Sequence, residues 1–89
     1  MLVEWRPEAR EALFDILSYI DEYNPAAADK LDEAIDKAVT ALPQHPYLYR
    51  YGRVTGTREI VVHPNYLVVY RVTDHIEIIT VLHARQQYP

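Results

Sequence analysis

Residues 57–83 read TREIVVHPNYLVVYRVTDHIEIITVLH, and this stretch decides the fold. It is dense in Val, Ile and Tyr and is interrupted at Pro64–Asn65 and at Asp74–His75, residues that favour turns. Three strands, 57–63, 66–72 and 76–83, joined by tight turns predict an antiparallel meander. With two central residues in each turn, His63 pairs with Tyr66, Val61 with Val68 and Glu59 with Tyr70. Across the second turn Tyr66 pairs with His83, Val68 with Val81 and Tyr70 with Ile79. One sheet face then carries Ile60, Val62, Leu67, Val69, Ile76, Ile78 and Leu82. The other carries Val61, Val68, Ile79 and Val81 beside Glu59, His63, Tyr66, Tyr70, Glu77 and His83. A slip of one residue would exchange the faces of a whole strand.

Upstream the apolar period changes from two to nearly four. Ala9, Ala12, Leu13, Ile16, Leu17 and Ile20 form one helical stripe, opened by Pro7 and by Glu8 and Glu11 at the positive end of the helix dipole. Asn24–Pro25 is a second start signal, and Leu31, Ala34, Ile35, Ala38, Val39 and Leu42 repeat the same offsets. The connection is so short that the helices must run antiparallel. Residues 2–5 alternate and read as a strand, and Pro43 and Pro46 open a loop over 44–56 that is rich in Tyr and Arg. The predicted order is β-α-α-β-β-β. That is an α+β domain spanning 1–89, an antiparallel sheet with a helical hairpin on one face.

The chain has 89 residues, enough for one modest core, with 49% apolar and 25% charged residues, which is ordinary globular composition. It has no cysteine, hence no disulfide, zinc–thiolate site or thiol nucleophile. Two glycines leave no phosphate-cradling loop, and no cofactor is expected. Without a long apolar run or a signal-peptide pattern, the expected setting is the cytoplasm, away from membranes. The net charge of −4 is unevenly divided. Residues 1–42 carry ten acids against four bases, net −6, whereas residues 43–89 carry five arginines against three acids, net +2. An anionic partner should therefore meet the second half, unless its arginines pair with the acidic helices.

The register aligns His63, Tyr66 and His83 across three strands, with Arg85 and Tyr88 just beyond. Two imidazoles and an arginine suit metal-free cleavage of RNA, with His63, Tyr66, His83 and Arg85 as the candidate catalytic set. The alternative is an aromatic stack that closes the sheet end or meets a protein. A metal site is not expected, because neither a carboxylate nor a third histidine falls in the row. The sheet face turned from the helices is expected to be bare and apolar, and so to need a partner or the chain's own loop or tail over it. The candidate partner-binding set is Tyr49, Arg53, Arg58, Val61, Tyr66, Val68, Tyr70, Val81, Arg85 and Tyr88.

The run HPYLYRYGRVTGTREIVVHPNYLVVYRV, then IEIITVLHARQQYP, with the Trp-x-Pro-x-Ala start and the Asn-Pro-Ala-Ala junction, resembles the ParE/RelE superfamily of bacterial type II toxins. The His-Pro-Asn-Tyr turn and the terminal His-Ala-Arg are most similar to the ParE branch. The resemblance implies a β-αα-βββ toxin neutralised by an antitoxin in a hetero-oligomer, with DNA gyrase as the target of the ParE branch. The RelE branch implies the alternative, cleavage of mRNA on the ribosome. Catalytic RelE-like members place a basic residue where this chain has Leu67, and are basic overall. His83 falls on the C-terminal histidine position of YafQ-type nucleases, Tyr66 and Asn65 fall on their Trp and Asp positions, and Val61 falls on their second histidine position.

Overall fold

The computed structural model describes residues 1–89. Strand β1 (Val3–Trp5) leads into helices α1 (Pro7–Tyr23) and α2 (Pro25–Ala41). A 3-10 turn, Leu42–Gln44, follows, and then strands β2 (Arg50–Tyr51), β3 (Arg58–His63), β4 (Tyr66–Val72) and β5 (Ile76–His83). The sheet order is β1-β5-β4-β3-β2, with β1 parallel to β5 and every other pair antiparallel. The predicted α+β order is thus observed, with one strand more. The segment 44–56 contains β2, whose two residues were hidden by a flanking composition typical of loops.

Local chemistry explains the helix boundaries. Prolines stand in the first turn of both helices, where a missing N–H costs nothing. The Asn24 backbone N–H closes α1 on the Ile20 carbonyl, and its side chain opens α2 by accepting from the Ala27 N–H at 3.1 Å. One residue therefore ends one helix and starts the next. The hairpin lays Leu31, Ile35 and Val39 against Ile60, Ile76 and Ile78 of the sheet, all nearly or fully excluded from water.

The register departs from the predicted one at two bulges. Val61 pairs with Leu67 and His63 with Tyr66, so β3 holds one extra residue at Val62. Val69 pairs with Thr80 but Tyr70 with Ile78, which leaves Ile79 as the extra residue of β5. The second turn has three residues, Thr73–His75, because Val72 pairs with Ile76. These offsets reverse part of the predicted face assignment. Val68, Tyr70 and Val81 lie in the helix-facing core, at 0%, 0% and 2% exposure, so they do not form an open partner surface. Leu67, Val69 and Leu82 instead form a second small cluster on the far face. Ile60, Val62, Ile76 and Ile78 face the helices as expected.

The start of the sheet is held by a polar clasp. His75 Nε2 meets Glu4 of β1 at 3.1 Å, and its Nδ1 meets Asp74 at 2.6 Å. The Asp74 contact, followed by that with Glu4, raises the His75 pKa above its ordinary 6.5. Hydrogen bonds from His75 and Thr73 lower the Asp74 pKa below 3.8. The imidazolium contribution is complete below pH 6.5 and is lost as pH rises through the raised value. The carboxylate contribution is complete above pH 3.8 and is lost as pH falls through the lowered value. His75→Gln should therefore lower the melting temperature most between those limits and least at alkaline pH, where the imidazole is neutral, as thermal denaturation across a pH series will show. A difference that is constant with pH contradicts the clasp.

Candidate functional site

At the other end of the sheet the predicted row is present. β3 ends in His63, β4 begins with Tyr66 and β5 ends in His83, and the two-residue turn Pro64–Asn65 brings them side by side. Ring centroids are 5.7 Å apart for His63–Tyr66 and 5.3 Å for Tyr66–His83. The bulge at Val62 turns the row to the helix side, where Tyr66 packs on the main core. The backbone N–H of Asn65 donates to His63 Nδ1 at 3.0 Å, and that of Arg85 donates to His83 Nδ1 at 3.1 Å. Each neutral ring consequently carries its proton on Nε2. No ion pair in the molecule involves Arg85, and its side chain is exposed.

The chain after the row turns over the far face. The Ala84 N–H donates to the Asn65 carbonyl at 2.7 Å, and Tyr88 packs on Leu67, Val69 and Leu82. Arg53 holds this tail from the facing loop, donating to the carbonyls of Gln86 (3.1 Å) and Ala84 (3.4 Å). The loop is itself tight. Gly56 adopts φ +85°, and a Cβ on Gly52 would lie 2.3 Å from Thr57 Oγ1. Buried Glu59 organises it, accepting from the Arg53 backbone N–H at 3.0 Å and pairing with Arg50 at 3.2 Å. Arg53 and Tyr88, expected at a partner surface, thus cover the chain's own apolar cluster. The expectation of a bare far face is corrected accordingly.

The exposed aromatics lie elsewhere. Tyr47 and Tyr51 are 63% and 80% exposed, and the Arg58 guanidinium lies 5.3 and 4.4 Å from their ring centroids while donating to the carbonyls of Tyr47 and Tyr49. Tyr49 sits edge-on to Tyr70, whose hydroxyl donates to the Pro46 carbonyl at 2.7 Å. Burial pushes the Tyr70 pKa up against the opposing field of Arg58. Val61 is 56% exposed on β3. Beyond the β2 pairing, residues 60–63 of β3 have no strand on their outer side. A groove of about 300 Å³ runs alongside between α2 and β3, lined by Ala27, Leu31, Ala34 and Val62 and ending at His63 and Tyr66. Sequence reasoning missed this edge, since the shortness of β2 carries no compositional signal.

Glu4, His75 and Glu77 bring donor atoms within 4.8 Å of one another, which is the geometry of a possible cation site. Glu77 is already engaged by Arg6 at 3.0 Å and Arg71 at 3.4 Å, so the group forms a closed ion-pair network.

Comparison with known proteins now bears on this geometry. The family model described as the ParE toxin of the type II toxin–antitoxin system, parDE, matches residues 3–88. The chain belongs to the ParE toxin family. It is a toxin of a type II toxin–antitoxin system, and relatives share most of its length. It is 39% identical to the Y4kP protein of Sinorhizobium fredii over 88 residues, covering 98% of this chain and 92% of that protein. It is 32% identical to toxin RelE2 of Caulobacter vibrioides over 83 residues, 92% of this chain and 93% of that one. Its fold matches a chain of the chromosomal ParDE toxin–antitoxin system from P. aeruginosa with a TM-score of 0.80. That match has 22% identity and covers 93% and 95% of the two chains. For this ParE-family toxin an antitoxin is the expected partner. No helix is long and apolar enough to cross a membrane.

The covering role of the tail is measurable. Tyr88→Ala should lower the unfolding free energy by about 2 kcal/mol, near half the cost of removing a fully buried aromatic, in denaturant titrations. An unchanged midpoint would mean that the tail does not seal the far face.

Proposed function

We propose that the toxin acts in the cytoplasm by binding and stalling an essential enzyme, DNA gyrase, and that its antitoxin restrains it by adding an extended segment along the outer edge of β3. The observation that carries the non-enzymatic reading is the setting of Leu67. The position where the superfamily resemblance puts a basic residue in catalytic members is here an apolar side chain, 2% exposed and part of the cluster that Tyr88 covers on the far face. On the helix side, His63 and His83 flank a tyrosine ring and each accepts a local backbone N–H. Neither a lysine nor a carboxylate stands in the row. Arg85 follows it in the chain and Lys30 lines the adjoining groove, two cations in all, whereas ribosome docking relies on dense cationic contact with phosphate.

The antitoxin reading rests on a different feature. An unpaired strand edge offers a row of backbone donors and acceptors, and natural proteins cover such edges or lend them to a partner strand. The edge at 60–63 lies beside an apolar groove that can take alternate side chains of an added strand. Val61 lies on this edge and Tyr66 lines the groove, and the Arg58–Tyr49 assembly stands at the end closed by β2. Arg85 lies beyond the His83 end of the row. These five residues are the members of the expected partner-binding set on which this reading relies.

Expression without an antitoxin should arrest growth, and the purified chain should inhibit gyrase supercoiling while leaving ribosome-bound mRNA intact. His83→Ala should retain the arrest within about twofold of the parent dose, since the ring has a packing role. Loss of arrest in a folded His83→Ala variant, together with mRNA cleavage by the parent, would establish the ribonuclease instead.

A further inference from the structure

The acidic helical hairpin is not used by anything described so far. None of the ion pairs in the molecule involves an acid between Glu11 and Asp36. Of the five arginines of the second half, which the sequence left free to pair with these helices, Arg50 and Arg53 pair with Glu59 and Arg71 with Glu77. Arg58 lies over Tyr47 and Tyr51, and Arg85 is in no ion pair. The helical acids therefore face solvent uncompensated.

They line a seam with an apolar floor. Along the outer junction of α1 and α2 run two adjoining hollows of about 330 and 230 Å³, which share Phe14, Leu17 and Asp32. Leu13, Leu17 and Ile35 form the floor, and Phe14 stands up from it at 70% exposure. Asp21, Asp29, Asp32 and Asp36 form the rim, against the single base Arg10, whose guanidinium is drawn 5.8 Å from the Trp5 ring centroid at one end. From Arg10 to Asp21 the seam is roughly 16 Å long, about three turns of a partner helix.

We infer that this seam docks a cationic amphipathic helix of a protein partner, with an apolar side chain packed on Phe14 and lysines or arginines over the Asp rim. The charge pattern selects the occupant. Nucleic acid is repelled by the rim, and a second copy meeting seam to seam would set like charges against each other. An acidic or neutral helix would gain only the apolar floor. The inference does not rest on the gyrase or antitoxin readings, because the seam is on the helical layer and the β3 edge is at the side of the sheet. A toxin with its edge occupied still presents the seam.

The test uses the full chain and a synthetic peptide of Leu and Lys, about 14 residues long, with its leucines on one helical face. The peptide is titrated against the isotope-labelled toxin and followed by amide chemical shifts and by fluorescence anisotropy. The expected result is saturable binding with shifts confined to residues 10–21 and 28–36. Phe14→Ala should weaken it roughly 10-fold, as for an aromatic anchor. Joint Asp32→Asn and Asp36→Asn should weaken it roughly 5-fold and flatten its salt dependence. Both acids are exposed and lie at like-charge i,i+4 spacing, so this variant keeps the fold. Absence of saturation, shifts mapping elsewhere, or affinity indifferent to Phe14 would each overturn the proposal. Self-association abolished by Phe14→Ala would also overturn it, placing a second copy in the seam.

Discussion

The arrangement of the whole sheet depends on one extra residue in β3 and one in β5. A strand alternates its faces strictly, so a single inserted residue decides which side chains meet the helices and which meet the tail. The bulge at Val62 lets Ile60, Val62 and Val68 share the helix side, and the bulge at Ile79 lets Ile78 and Val81 do the same. Tyr70 is thereby carried into the core, where its hydroxyl reaches the Pro46 carbonyl and anchors the loop that bears Tyr47, Tyr49 and Tyr51. The same offsets leave Leu67, Val69 and Leu82 on the far side, and Tyr88 covers them. The tail, the loop and the two aromatic clusters all take their places from those insertions.

Much of this was legible in the sequence, and the illegible part has a definite cause. The helix stripes, the Asn24–Pro25 junction and the strand limits follow from periodicity and turn chemistry, and all stand within a residue or two. The row of His63, Tyr66 and His83 was also readable, because it lies next to a two-residue turn and needs no long extrapolation of register. Errors began just beyond the bulges. Val68, Tyr70 and Val81 are as apolar or aromatic as Leu67, Val69 and Leu82, so hydrophobicity alone could not decide which trio faces the helices. The residues that place a bulge, two valines in one strand and two isoleucines in the other, carry no turn signal. β2 was missed for a related reason: two residues flanked by Tyr, Arg and Gly give no alternation to detect.

The consequence for function is a change in where a partner would bind. The Leu67, Val69 and Leu82 part of the apolar sheet face expected from the sequence is covered by the protein's own tail, pinned by Arg53. What remains open is narrower and more directional: the edge of β3 with its groove, the Arg58–tyrosine assembly, and the acidic seam of the helices. These surfaces differ in chemistry. The edge offers backbone hydrogen bonds and favours an extended chain, whereas the seam offers carboxylates around an aromatic anchor. A small toxin can in this way offer separate polypeptides surfaces of different chemistry.

The strand-edge account is tested most directly by hydrogen–deuterium exchange of the toxin alone and bound to its antitoxin. The account predicts strong new protection of the outward-pointing backbone amides within residues 60–63, with the amides of α1 unchanged. Protection confined to the helices, with β3 exchanging as in the free protein, would contradict it.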